Sequence, residues 1–241
     1  MRMNDKKGLS WLHPCGVALH EPARRLGIAL LRNRRGVAYL EFALALPVLL
    51  TLGLFGAEVA NMATINMQVS QMATSVADNA SRIGQTDNNG VPPTVQEAQV
   101  DSVLGGAILQ GRRINFEENG RVILSSLERD PSTGRQYIHW QRCRGNLERS
   151  SAYGPEGFGR GEGTLAGMGK TGSLIAAPNN SSVMFAEVYY RYQPIFGRMF
   201  VGSLEFKQEM AFETRDDRNL RSPDQPGITG QSNESTCAQT S

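Results

Sequence analysis

One carboxylate stands inside the most apolar stretch of the chain. Residues Val37 to Ala57 read VAYLEFALALPVLLTLGLFGA, and Glu41 is their only charged residue. A carboxylate near hydrocarbon is costly and needs a partner or a task. The residues around it suggest one. Gly36 directly precedes the run. A cut after Gly36 would make Glu41 the fifth residue of the product and create an α-amino group at Val37. Carboxylate and ammonium could then pair between neighbouring subunits, each offsetting the other's desolvation. Interfacial snorkelling beside the preceding arginines is the plainer reading, although Glu reaches less far than Lys or Arg.

Other patterns that could carry chemistry lack their context. Gly169-Lys170-Thr171 ends like a phosphate loop, but Thr164 stands where the first glycine is needed, and Gly172 follows instead of a helix. Gly167 to Gly172 matches G-x-G-x-x-G inside a glycine-rich stretch, 154–172, where chance matches abound and no βαβ unit surrounds it. That stretch reads as a mobile surface loop. His13, His20 and His139 are scattered and give no metal-ligand spacing. His139 beside Trp140 lies in a strand and reads as structural. No Ser-His-Asp grouping or G-x-S-x-G elbow occurs. These readings argue against an enzyme, a cofactor, a metal site or a small-molecule substrate.

The element that positions Glu41 is a membrane span. At ~1.5 Å per residue, Val37–Ala57 covers about 31 Å, the thickness of a bilayer core. A secretory signal would have a shorter apolar region followed by a small-x-small cleavage site. The chain has 241 residues and a net charge of +2. Residues 1–36 alone carry +6, so the remainder carries −4. A basic arm can mean nucleic acid. Directly before an apolar run it is better read as a cytoplasmic flank, which places later residues outside. Pro47 removes one helical hydrogen bond within the span and should loosen the preceding turn.

Arg34-Arg35-Gly36 followed by VAYLEFALALPVLLTLGLFGAEV resembles the N-terminus of TadE-like minor pilins, of the tight-adherence (Flp-type) branch of type IV pili. The resemblance covers about 25 residues, and Pro47 and Gly53 also fit it. It implies cleavage between Gly36 and Val37 by a prepilin peptidase in the inner membrane. It implies that Glu41, with Phe42 and Pro47, serves assembly. It implies other pilins, minor pilins and an inner-membrane pilus platform as partners, besides lipid. The 36-residue leader is long for a pilin, and residues 23–31 within it could form a short amphipathic helix.

Beyond the span the helical pattern continues. Met62, Ile65, Val69, Met72, Val76 and Ile83 recur at spacings of three, four or seven, with small and polar residues between them. No Gly or Pro interrupts residues 57–83, and Gly84 suits a C-cap. This stripe must pack on the chain's own domain, on sibling subunits, or on both.

After a loop at 85–93, Thr94 and Glu97 suggest a capping box opening a helix to about Gln110. Strands are expected at 113–116 and 121–128, joined by a turn at Glu118-Asn119-Gly120, and then at 136–142, 182–193 and 204–214. The fold class is therefore α+β: a long transmembrane-plus-stalk helix packed on a small antiparallel sheet, pilin-like. The divisions are a leader 1–36, the span 37–57, a periplasmic extension 58–84, an exported domain 85–215 and a polar tail 216–241. The tail's composition suits disorder. Cys15 falls in the leader. Cys143 and Cys237 would both face an oxidising compartment, where a bridge between them would tie the tail to the sheet.

The function these readings converge on is a minor pilin (pseudopilin) or pilus-assembly component. The alternative is an unprocessed, membrane-tethered periplasmic binding module with its ligand at the glycine-rich loop.

Overall fold

The structure is a computed structural model and describes residues 36–84, 94–161, 163–197, 201–215, 220, 227–230 and 235–237. The expected leader helix at 23–31, the loop at 85–93 and Cys15 lie outside these residues. The chain falls into two compact units that divide between Gly53 and Leu54.

Helix α1 runs from Val37 to Ser81. Within the first unit, every side chain from Val37 to Gly53 is exposed. Leu, Ala and Val dominate this segment, so apart from Glu41 its surface is apolar all round, which is what lipid requires and water does not tolerate. It qualifies by length and hydropathy as a candidate membrane span.

The second unit begins with the rest of α1. From Glu58 onward the helix acquires a buried side: Ile65, Val69, Met72, Ala73, Val76, Ala77 and Ala80. These share one core with Val100 and Leu104 of α2 (Glu97–Gln110), and with Val122, Leu124, Trp140, Met184, Val188 and Tyr190 of the sheet. The heptad stripe therefore packs on the chain's own domain. Ser81 ends the helix by donating to the Asp78 carbonyl at 2.7 Å, and Gly84 turns the chain at φ +93°.

The main sheet is antiparallel, in the order β3-β2-β4-β5, built from β2 (Gly120–Arg129), β3 (Gln136–Arg144), β4 (Val183–Arg191) and β5 (Glu205–Glu213). A two-residue parallel pair joins β1 (Val95–Gln96) to β6 (Ile228–Thr229). The long apolar helix with the antiparallel sheet makes this an α+β fold. Alternation along β4 sends Met184, Ala186, Val188 and Tyr190 to the α1 side, and Val183 and Phe185 to the other. A bulge between Ser126 and Leu127 skips His139 in the pairing of β2 with β3. It therefore puts Ile138 and Trp140 on opposite faces, although they are two apart.

Several expectations fail here for identifiable reasons. Residues 113–119 are no strand. A 3-10 turn (Arg112–Ile114) leads into the short helix α3 (Phe116–Asn119). Phe116 is fully buried and stacks on Tyr190 at 6.1 Å, while the Tyr190 hydroxyl donates to the Ile114 carbonyl. One large side chain seeking the core overrides the strand-like alternation. The real hairpin joins β2 to β3. The helix cap lies at Gln96, whose N–H donates to the Gln99 side chain at 3.2 Å. The Glu97 carboxylate is occupied by Arg142 instead.

The glycine-rich stretch is a packed cover for the second sheet face, with Met168 buried beside Leu127, Ile138, Val183 and Phe185. Gly159 shows why glycine is required there. Its φ is +93°, and a Cβ would lie 2.4 Å from the Gln136 carbonyl oxygen. The tail also returns. Ile228 is buried, and the Cys143 N–H donates to the Ser235 carbonyl at 2.7 Å. A Cys143–Cys237 disulfide joins tail to β3 across 94 residues of sequence.

Asp130 organises the β2–β3 turn. Its carboxylate accepts from the Ser132 hydroxyl at 2.6 Å, the Ser132 N–H at 2.8 Å and the Thr133 N–H at 3.3 Å. The Ser132 hydroxyl bond, partly opposed by burial and helped by the two backbone donors, holds its pKa down at about 2, against an ordinary 3.8. A pKa depressed on folding gives stability that is complete above 3.8 and lost as pH falls through 2. Asp130→Asn is therefore expected to lower the melting temperature at pH 6, with the difference from wild type vanishing near pH 2. Paired melts followed by circular dichroism would show it; a difference independent of pH would contradict it.

Candidate functional site

The sequence singled out Gly36, Val37, Glu41, Phe42 and Pro47, and the structure places all five on or beside the first turns of α1. Gly36 lies in an exposed turn, and its carbonyl accepts from the Leu40 N–H at 3.2 Å. Val37 is the first helical residue. The Gly36–Val37 bond thus joins a turn residue to the first residue of the helix. Glu41 and Phe42 follow one turn in, and both side chains are exposed. Pro47 is inside the helix without ending it. The Thr51 hydroxyl donates to the Pro47 carbonyl at 2.7 Å, a local bond that reinforces the helix beyond the proline. A carboxylate one turn into an apolar segment is costly in hydrocarbon and needs a polar partner.

Sequence reasoning missed the other notable carboxylate on α1. Glu58 is the first buried residue of the helix, and its side chain is held by the segment that follows β4. The Tyr192 hydroxyl donates to it at 2.7 Å. The Ile195 and Phe196 N–H groups each donate at 3.1 Å. Asn61 donates to the Tyr192 oxygen at 2.8 Å, closing the network. Two consecutive backbone donors and a phenol are a strong charge-assisted set for a single carboxylate. The signal was available: a lone acid directly after a 21-residue apolar run, and a Tyr-Gln-Pro strand end to receive it.

The second sheet face carries a further buried acid. Glu187 accepts from the Ser151 hydroxyl at 2.5 Å, the Tyr189 hydroxyl at 2.8 Å and the Ala152 N–H at 3.0 Å, with Lys207 Nζ 3.9 Å away. Burial pushes its carboxyl above the usual range, against the pull of these donors. Every donor comes from the 151–152 segment or the sheet, so the group fastens the cover to the sheet. His139 likewise pairs with Glu128 at 2.7 Å. Among the described residues no group of three or more His, Cys, Asp or Glu could hold a metal ion. A cleft of about 620 Å³ opens beside the disulfide, lined by Arg121, Arg142, Arg149, Ser150, Gly154 and Cys237 among others.

Residues 36–82 match the model of one family, described as TadE-like protein. No curated protein and no solved structure matches.

Proposed function

We propose that this chain, TadE-like over residues 36–82, is a minor pilin or pilus-assembly component of a tight-adherence pilus. The family match points to such a system in general terms; the role within it is our reading. The observation that carries the reading is the exposed Gly36 turn immediately before α1, with Glu41 presented one helical turn beyond it. In this reading a prepilin peptidase cuts between Gly36 and Val37 and frees the Val37 amine. Glu41 of one subunit then meets that amine of a neighbour within the membrane, where low dielectric strengthens the pair and makes a lone carboxylate costly. The apolar all-round surface of 37–57 gives lipid and sibling helices an equal welcome. The basic leader puts the N-terminus on the cytoplasmic side of the inner membrane and the sheet domain in the periplasm. Other pilins and the inner-membrane platform are the partners.

N-terminal sequencing of the mature protein from cells with active prepilin peptidase is expected to read Val37-Ala38-Tyr39. A chain still beginning at Met1 there sinks the processing claim. Glu41→Ala is expected to leave the protein in the membrane fraction while its co-purification with other pilins falls at least several-fold.

One observation favours a second reading, a tethered binding module that is never cut: the arginine-lined cleft lies at the start of the glycine-rich stretch. Under that reading Glu41→Ala changes neither location nor function, so the same variant separates the two.

A further inference from the structure

The loop at Pro194–Gly197 leaves apolar side chains uncovered at a particular level of the molecule. Ile195 is 59% exposed, and Phe196 beside it is half-buried. An isolated exposed isoleucine needs no explanation. This one is held by its backbone. The Ile195 and Phe196 N–H groups both bind the Glu58 carboxylate, and the Tyr192 hydroxyl binds it too. The Tyr192 N–H donates to the Leu204 carbonyl at 2.9 Å, so the loop is tied to the sheet as well. Gly197 closes the turn at φ +73°.

Glu58 follows directly on the apolar run that ends at Ala57. One residue of helix advances only ~1.5 Å. The polar zone of a bilayer is about 5–7 Å deep on each side of the hydrocarbon. A loop within hydrogen-bonding distance of Glu58 therefore lies inside that zone if α1 crosses the membrane as far as Ala57. Leu54 to Glu58 belong to the same compact unit as the loop, so the loop's level is set within one body. The flanking chemistry suits this depth. Arg191 is exposed on the approach to the loop, Arg198 follows it in sequence, and aliphatic, aromatic and arginine side chains together favour the headgroup boundary.

We propose that Pro194–Gly197 is a second membrane contact, with Ile195 and Phe196 seated in the headgroup–acyl boundary beside the point where the anchor leaves the bilayer. Glu58 then does two jobs with one group. It marks the end of the span, and it holds the wedge at a set depth. The proposal rests on α1 being a membrane span, and the test keeps the two claims apart.

The full chain in a Cys15→Ser background would be spin-labelled at single introduced cysteines and reconstituted in phosphatidylethanolamine–phosphatidylglycerol vesicles. Collision with oxygen, which partitions into lipid, would be compared with collision with a water-soluble nickel chelate. Leu49→Cys reports the span. Met67→Cys, on the exposed side of the same helix about 14 Å beyond Glu58, reports water. Ile195→Cys and Phe196→Cys report the loop. The expected oxygen-to-nickel ratio at 195 and 196 lies several-fold above that at 67 and approaches that at 49. A ratio at 195 and 196 equal to that at 67 overturns the wedge while leaving the span intact. Low collision with both reagents means a protein covers the loop, and also overturns it. A water-like ratio at 49 overturns span and wedge together.

Discussion

Val69→Asp is expected to leave the domain built by α1, α2 and the sheet unfolded. Val69 is fully buried in the core that α1, α2 and the sheet build together. The change removes a buried valine, worth about 1.5–3 kcal/mol. It also leaves a carboxylate with no partner in that core, at a cost of several kcal/mol more. The sum competes with a total stability of roughly 5–15 kcal/mol for a domain of this kind. Loss of the cooperative melt, together with rapid proteolysis of the sheet domain, would report it. Met67→Asp is the control. Met67 is two residues away and 59% exposed, so its replacement is expected to shift stability by less than about 0.5 kcal/mol. Equal behaviour of the two variants would mean that the outer half of α1 is not part of the domain's core.

The second large effect concerns the tail. Cys237→Ser is expected to lower stability by about 2–4 kcal/mol, because the bridge closes a loop of 94 residues and its removal frees the unfolded chain. Reduction of the wild type should do the same, and the variant should no longer respond to reductant. Limited proteolysis should then release the tail first, since among the described residues its other ties are non-covalent: the β1–β6 pair, the Arg142–Thr236 bridge, the Ser235 carbonyl on Cys143 and the Ser235–Asp101 hydroxyl bond among them. A variant as stable as wild type, with an equally protected tail, would show that these contacts suffice alone.

The parts of this fold legible in sequence were those governed by one strong period. The α1 stripe was readable because six apolar residues recur at helical spacing with polar residues between them. The β4 and β5 alternation was readable for the same reason at period two. Gly36 and Glu41 stood out because a charge inside an apolar run is costly anywhere. What stayed hidden depended on partners far away in sequence. Residues 113–116 alternate like a strand, yet Phe116 is drawn into a slot under Tyr190. The glycines of 154–172 suggested freedom, but Gly159 lets the backbone lie close against β3, and the stretch covers the sheet. Glu58 was passed over because its donors, Tyr192, Ile195 and Phe196, lie more than 130 residues away. Composition made the tail look unstructured, while Ile228 and Ser235 within it are buried.

The order of those pieces along the chain has a consequence for biogenesis. Synthesis delivers α1 before the sheet and Cys237 after it. Cys143 therefore emerges 94 residues ahead of the thiol that will quench it. Throughout that interval the nascent domain can assemble helix and sheet, yet β3 still carries a reactive sulfur. Two copies maturing side by side share this exposure, and cross-linking between them competes with closure within each. Crowding at the membrane thus sets a kinetic hazard that a dilute refolding experiment would never reveal.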